Sequence, residues 1–284
     1  MQRLFLIVFL CLLWSCASEG QSHTSQNQTQ QAQKENKEEG PEKDYTISEA
    51  DKQQAAGNYL VPSPGEILSA LNKLDRVDWT QLASFNQNAN YENKYARSLN
   101  LGVRVADAFV AINAEDAESF GEMSTIIFDL GQKLGIGRVI SEKRADLDEL
   151  AGRGAWSDMR AELDNVQTEI QSEVEALGES DLVVLASLGG WLEGLRVVSG
   201  HLKDNYSEDN SELLNQGGLI GYYAGQLDGL GSDATTNRLV SAVRDGLESI
   251  QSALPEGEAA KVSQESVQEV NDVSSALISL IEKG

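Results

Sequence analysis

Proline is absent from a stretch of 190 residues, from Gly65 to Leu254, and this gap constrains the fold more than any other feature of the chain. The whole chain has four prolines, whereas average usage would place about ten in a stretch of this length. An interior proline removes a helical hydrogen bond and clashes with the preceding turn of the helix. The gap therefore favours long helices, and we predict an all-α fold.

Apolar residues recur at intervals of three and four through most of this stretch. One such row, Phe120 to Leu134, ends at a glycine, and another, Trp156 to Leu177, does the same. This spacing places the apolar side chains on one face of a helix, and glycine is common just past a helix end. We find no sustained alternation typical of strands. These patterns predict a multi-helix bundle of about eight to ten helices.

Tyr91 to Ile112 differs from the other predicted helices, because it is apolar nearly all round from Leu99 onward. Such a helix is expected at the centre of the bundle. Residues 130–141 also resemble residues 224–241, which suggests two weakly related four-helix halves, at about 90–178 and 180–284. Chance similarity between helices that end in glycine is the alternative.

Glycine recurs inside two consecutive predicted helices, the first of which is Leu182 to Lys203. Each interior glycine costs about 1 kcal/mol relative to alanine, and close approach of another backbone is the usual compensation. We therefore expect these two helices to pack tightly together. The glycines assigned to this packing are Gly190, Gly194, Gly217, Gly221, Gly225 and Gly229.

Two charged pairs interrupt the most apolar predicted helices. Arg104 and Asp107 are three residues apart in one helix, and Glu193 and Arg196 are three apart in another. A buried charge has to be paired and hydrogen-bonded, because an unpaired one is strongly destabilising. We predict a network in which Arg104 meets Glu193 and Asp107 meets Arg196. The alternatives are pairs that face solvent, two local structural clamps, or a ligand pocket.

The N-terminus resembles an export signal. Residues 4–14 form an apolar run that is too short to cross a bilayer as a helix. Residues 13–16, Leu-Trp-Ser-Cys, resemble the lipobox of bacterial lipoproteins, in which the signal is removed and the cysteine is lipidated. The resemblance implies removal of residues 1–15, a lipid on Cys16, and delivery to the outer membrane, because Ala17 follows the cysteine. An ordinary secretory signal cut nearby is the alternative.

Residues 16–44 contain mainly Ser, Gln, Asn, Glu and Lys and almost nothing apolar. Such a segment buries too little surface to offset the entropy lost on ordering, so we predict a flexible spacer between the lipid and a helical domain at 45–284. A Gln-rich interaction segment is the alternative. The only cysteines are Cys11 and Cys16, so no disulfide can form within the mature chain.

The 22 basic and 45 acidic residues give the chain a formal net charge of −23. Nucleic acid and anionic lipid surfaces are therefore poor partners for the domain. The predicted domain has one histidine, His201, and no cysteine, which excludes thiolate zinc sites and Cys-His nucleophiles. We predict neither a metal ion nor a cofactor.

We expect a membrane-tethered envelope lipoprotein whose helical domain binds or scaffolds a protein or a small molecule without catalysis. One alternative is a helical, glycan-acting enzyme that lyses cell walls with a single catalytic glutamate. The similarity to such enzymes is faint and lies at residues 218–221 or at Glu248 and Ser249. Another alternative is a small-ligand carrier, which requires an apolar cavity.

Overall fold

The computed structural model of the chain describes Gly65, Leu68, Leu71, residues 77–256 and residues 260–284. The signal segment, Cys16 and the spacer lie outside these residues, so what the sequence implies for them stays a prediction. All of the described residues belong to one unit, Glu49–Gly284.

Helices make up the regular structure, and the described part of the chain contains no strand. In chain order the elements are α1 (Trp79–Leu82), α2 (Lys94–Asn113), α3 (Ala117–Lys133), α4 (Gly137–Gly152), α5 (Trp156–Ala176), α6 (Ser180–Asp204), α7 (Glu208–Ser211), a 3₁₀ turn (Glu212–Leu214), α8 (Gly217–Asp228), α9 (Ser232–Thr235), α10 (Arg238–Ala253) and α11 (Gln264–Ile281). Eight of these helices have seven residues or more, so the predicted all-α multi-helix bundle is confirmed.

The ends of the helices follow from local sequence. The side chains of Asn93, Asp116 and Ser263 accept hydrogen bonds from backbone N–H groups in the first turns of α2, α3 and α11. Gly135 and Gly178 follow α3 and α5 with φ angles of +86° and +73°, in the left-handed region that favours glycine. Both of these helix ends were predicted from the sequence and are confirmed.

Helices α2 and α6 form the centre of the bundle and pack against each other. Every residue of α2 from Ser98 to Ile112 is buried, so its predicted central position is confirmed. Among the described helices, α6 alone is long and apolar enough to cross a membrane by length and composition, and 72% of its apolar window is buried within the bundle. That degree of burial is typical of a core helix.

The other long helices surround this central pair. Helices α3, α4 and α5 pack one on the next, beginning against α2, while α11 packs against α6 and is followed outward by α10 and α8. Side chains from both of the suggested halves contribute to one continuous apolar core. The internal repeat itself stays a prediction.

Glycine allows the backbones of α2 and α6 to approach closely. A Cβ atom on Gly102 would lie 1.8 Å from the carbonyl oxygen of Ala186 and 2.6 Å from the backbone nitrogen of Gly190. A Cβ atom on Gly189 would lie 2.1 Å from the carbonyl oxygen of Leu99. These clashes are with backbone atoms, which cannot rotate away as a side chain can. Close packing at the glycines of α6 is therefore present, but its partner is α2.

The predicted packing of the second glycine row against α6 is wrong. A Cβ atom on Gly221 or Gly225 would meet nothing within 4 Å, and both residues are exposed. Gly229 is also exposed, Gly217 is half-buried, and Gly194 is buried within α6. The buried face of α8 carries its bulky residues instead: Leu219, Ile220, Tyr223 and Leu227. Burial of one such side chain contributes about 1.5–3 kcal/mol, so the apolar face and not the glycine face turns to the core.

Candidate functional site

Five charged side chains meet where α2, α6 and the turn after α11 come together: Arg104, Asp107, Glu193, Arg196 and Glu282. We call this group the charge cluster. The Nη1 atom of Arg104 lies 3.1 Å from Oδ2 of Asp107, and Arg196 donates two hydrogen bonds to Glu193, one of them 2.8 Å from Nε to Oε2. The side chains of Arg104, Asp107 and Glu193 are fully buried.

Within the charge cluster, the carboxyl groups of Asp107 on α2 and Glu193 on α6 are close enough to repel each other electrostatically. Burial raises the pKa of Asp107 well above its ordinary value, and the nearby carboxyl of Glu193 raises it further. Arg104 and Arg196 oppose this shift. Neither oxygen of the Asp107 carboxyl accepts a hydrogen bond from the described residues, so burial and Glu193 favour its protonated form while the two arginines favour its charged form.

Four of these five residues, all except Glu282, were predicted from the sequence to form a network, and the structure brings all four together. Their pairing is different from the one predicted. Arg104 does not pair with Glu193 but binds Asp107, the carboxylate of Glu282 and the backbone carbonyl of Asn86. Nothing in the local sequence around Glu282 indicated this partner, because 178 positions separate it from Arg104.

The arginines of the charge cluster also fix the segment that precedes α2. Arg104 donates to the carbonyl oxygen of Asn86 at 2.7 Å, and Arg196 donates to that of Leu82 at 2.7 Å. Between these two points Phe85 has a φ of +36°, a conformation that is uncommon for a residue with a side chain. The charge cluster thus holds α2, α6, the segment before α2 and the turn after α11 together, which is a structural role.

We expect Asp107→Asn to remove a pH-dependent loss of stability. Because the pKa of Asp107 is raised on folding, the folded chain keeps a proton that the unfolded chain releases above about pH 4. The free energy of unfolding therefore falls as the pH rises from that value through the raised pKa. Asparagine is neutral at every pH, so the variant lacks this titration. In urea unfolding between pH 4 and 8, the variant should gain stability relative to the original chain as the pH rises.

Asp116→Asn provides a control of opposite sign for this experiment. Hydrogen bonds from the side chain and backbone N–H of Ser119 lower the pKa of Asp116. Its contribution to stability is present above the unfolded pKa and is lost as the pH falls. A constant stability difference between Asp107→Asn and the original chain across the pH range would contradict the raised pKa of Asp107.

A second feature is a narrow apolar cavity between α2, α3, α5 and α6, with a volume of about 60 Å³. Its walls include Val105, Ile127 and Ile170. The lining side chains with a polar atom are two serines, Ser98 and Ser187. Ser98 uses its hydroxyl to donate to the carbonyl oxygen of Leu182. The cavity therefore offers a ligand apolar contact and no charged group.

The residues considered for catalysis lie apart from this cavity. The side chain of Glu248 on α10 is 65% exposed and pairs with Arg244, and the hydroxyl of Ser249 donates to the carbonyl oxygen of Asp245. His201 is buried near the end of α6, and burial lowers its pKa. No group of three or more His, Cys, Asp or Glu residues is placed to hold a metal ion within the described part of the chain.

The fold and these two features define a helical bundle with a charge cluster at its centre and an apolar cavity to one side. No family model, no curated protein and no solved structure matches the chain.

Proposed function

We propose that this chain is a lipid-anchored protein of the bacterial cell envelope whose helical domain binds its ligand without catalysis. The observation that carries the proposal is the apolar cavity between α2, α3, α5 and α6. Its walls offer a ligand a continuous apolar surface, as small-molecule sites usually do. The lining residues include no acid, base or metal ligand that could act on the bound molecule.

The positions of Glu193 and Glu248 support binding over glycan cleavage. A glycan-acting site of the kind considered needs a glutamate in a cleft, within reach of the bond to be cut. Glu193 is fully buried and is held by Arg196. Glu248 stands on an exposed helix face in an ion pair with Arg244. Both environments suit structural or surface carboxylates.

The proposed anchor gives the domain freedom of movement above a membrane. Residues 16–44 comprise 29 positions, nearly all polar. A flexible chain of this length has a root-mean-square span of about 30 Å. The domain could therefore meet a ligand at the membrane surface or a short distance away from it.

We expect Cys16→Ser to move the protein from the membrane fraction to the soluble fraction, because the proposed lipid is attached to that thiol. Membrane and soluble fractions of the native cells, compared by immunoblot, measure this. Cys11→Ser is the matched control, since that cysteine lies in the segment proposed to be removed and should leave membrane attachment unchanged. Equal membrane retention of the Cys16→Ser protein would contradict the proposed anchor.

A further inference from the structure

We infer that an open pocket between the start of α2 and the end of α3 binds a phosphate group from solution. The pocket has a volume of about 480 Å³ and is lined by Asn90, Tyr91, Glu92, Arg97 and Lys133. It shares no lining residue with the apolar cavity or the charge cluster. The inference therefore goes beyond the proposed function and does not depend on the lipid anchor.

The fold brings two cations to this pocket from two helices. Arg97 lies in the first turn of α2, and Lys133 is the last residue of α3. Because α3 packs against α2, the ammonium of Lys133 reaches the segment that directly precedes α2. Both side chains bind that short segment, residues 89–92, and so flank the same opening.

The guanidinium of Arg97 is held by two backbone carbonyl groups. Its Nε donates to the carbonyl oxygen of Tyr91 and its Nη2 to that of Glu92, each at 2.8 Å. A guanidinium has five N–H groups, so three of them are not used in these two bonds. The side chain is thus fixed in position and still has donors to offer a ligand.

The ammonium of Lys133 is held in the same manner. Its Nζ donates to the carbonyl oxygen of Ala89 at 2.7 Å and to Oδ1 of Asn90 at 2.9 Å. An ammonium has three N–H groups, so one is not used in these two bonds. The pocket therefore has a fixed ammonium beside its fixed guanidinium.

No carboxylate of the described residues forms an ion pair with either cation. Nine other basic side chains there do pair with a carboxylate, in keeping with a formal net charge of −23. The partners of Arg97 and Lys133 are carbonyl oxygens, which carry only partial charge. Glu92 lines the pocket, but it contacts Arg97 through its backbone. Two positive charges therefore face the pocket without a matching pair of negative charges.

A phosphate group matches this arrangement better than a carboxylate does. A phosphate monoester carries a charge of about −1.5 to −2 at pH 7 and three acceptor oxygens, which suits two cations with spare donors. Guanidinium groups bind phosphate with two parallel hydrogen bonds. The volume lies within the range of about 300–1,000 Å³ that is usual for small-molecule sites. The net charge of the chain disfavours an anionic membrane, so the phosphate comes from solution.

The test titrates the full protein, purified in non-ionic detergent, at pH 7 and constant ionic strength. Inorganic phosphate and glycerol 3-phosphate should each shift the backbone amide signals of residues 90–92 in NMR spectra, and the shifts should saturate. The tighter of the two ligands shows whether the free ion or an ester is preferred. Acetate has one charge and two oxygens and should bind at least about tenfold more weakly.

Variants at the two cations locate the site. Arg97→Gln should weaken phosphate binding at least about tenfold, because it removes a charge and the paired donors. Lys94→Gln is the matched control, since it makes the same change of charge in the same turn of α2. Lys94 does not line the pocket and is paired with Glu179, so its loss should alter the affinity less than about twofold.

Two further variants complete the experiment. Lys133→Gln should also weaken binding, and it replaces Arg97→Gln if thermal melting shows that the latter does not fold. The side chain of Lys133 is exposed, so this change is not expected to disturb the core. Glu92→Gln should strengthen binding, because it removes the carboxylate that lines the pocket.

Saturable phosphate binding that is weakened in Arg97→Gln or Lys133→Gln and retained in Lys94→Gln supports the inference. Shifts that rise linearly with phosphate, equal binding of acetate, or an equal loss in Lys94→Gln would overturn it. The two cations would then serve only to fix the segment before α2. Cell fractionation of Cys16→Ser tests the anchor whatever the titration shows.

Discussion

Arg104→Ala is expected to lower the free energy of unfolding by about 3–5 kcal/mol. The change removes the cation that faces Asp107 and Glu282 and the donor that holds the carbonyl of Asn86. Alanine leaves these acceptors in a buried site without a partner. The loss of unfolding free energy reflects the cost of keeping them away from water. Urea unfolding at pH 7, followed by circular dichroism, gives the free energy.

Arg138→Ala is the matched control for this substitution. Arg138 also contacts two carboxylates, Glu142 and Glu173, but its side chain is 65% exposed. Ion pairs in water contribute little to stability, so this variant should unfold at an unchanged urea concentration. A loss below about 1 kcal/mol for Arg104→Ala would mean that the charge cluster is accessible to water.

A double mutant distinguishes one coupled network of charges from two independent ion pairs. Because Asp107 interacts electrostatically with Glu193 across the helix interface and pairs with Arg104 in its own helix, the losses for Arg104→Ala and Glu193→Ala should not add. We expect the double mutant to lose clearly less than the sum of the single losses. Additive losses would show that the pairs on α2 and α6 act separately.

Gly102→Ala is expected to destabilise the domain by about 3 kcal/mol or more. Its new methyl group would lie 1.8 Å from the carbonyl oxygen of Ala186, and relief of this clash requires α2 and α6 to move apart. Separation of the two central helices would loosen the core that both helices form. The same urea unfolding experiment measures the loss.

Gly221→Ala tests the opposite case with the same chemical change. Gly221 is exposed on α8, and a methyl group there would meet nothing within 4 Å. Alanine should therefore raise the stability by up to about 1 kcal/mol through its higher helix propensity. If Gly102→Ala lowered the free energy of unfolding no more than Gly221→Ala does, the close approach of α2 and α6 would be refuted.

Features of the fold that depend on neighbouring residues were predictable from the sequence. The proline gap and the three-and-four spacing indicated helices, and the glycines after α3 and α5 marked their ends, because these signals act within one or two turns. Arg104 and Glu193 could be singled out because a charge inside a nearly uniform apolar helix has to be neutralised. The sequence therefore identified much of the charge cluster.

Features that depend on how distant elements meet were not predictable in the same way. The glycine row of α8 has helical spacing, but spacing alone does not tell which face of a helix turns inward. Gly102 is a single glycine in an apolar helix, so no sequence pattern predicted its contact with Ala186. The cavity is formed by four helices whose residues come from positions 98 to 187. Its existence depends on packing that no single segment encodes.

The ion pair between Arg104 and Glu282 joins a residue that the ribosome adds early to one that it adds near the end of the chain. A growing chain produces α2 and Arg104 early, but Glu282, the second carboxylate that pairs with this arginine, follows 178 residues later. Contacts of such long sequence separation form late, because a large loop has to close first. A nascent or clipped chain that stops before Glu282 would leave Asp107 as the carboxylate that faces Arg104 between the central helices. The contacts that complete the charge cluster are therefore available only after nearly the whole chain has been synthesised.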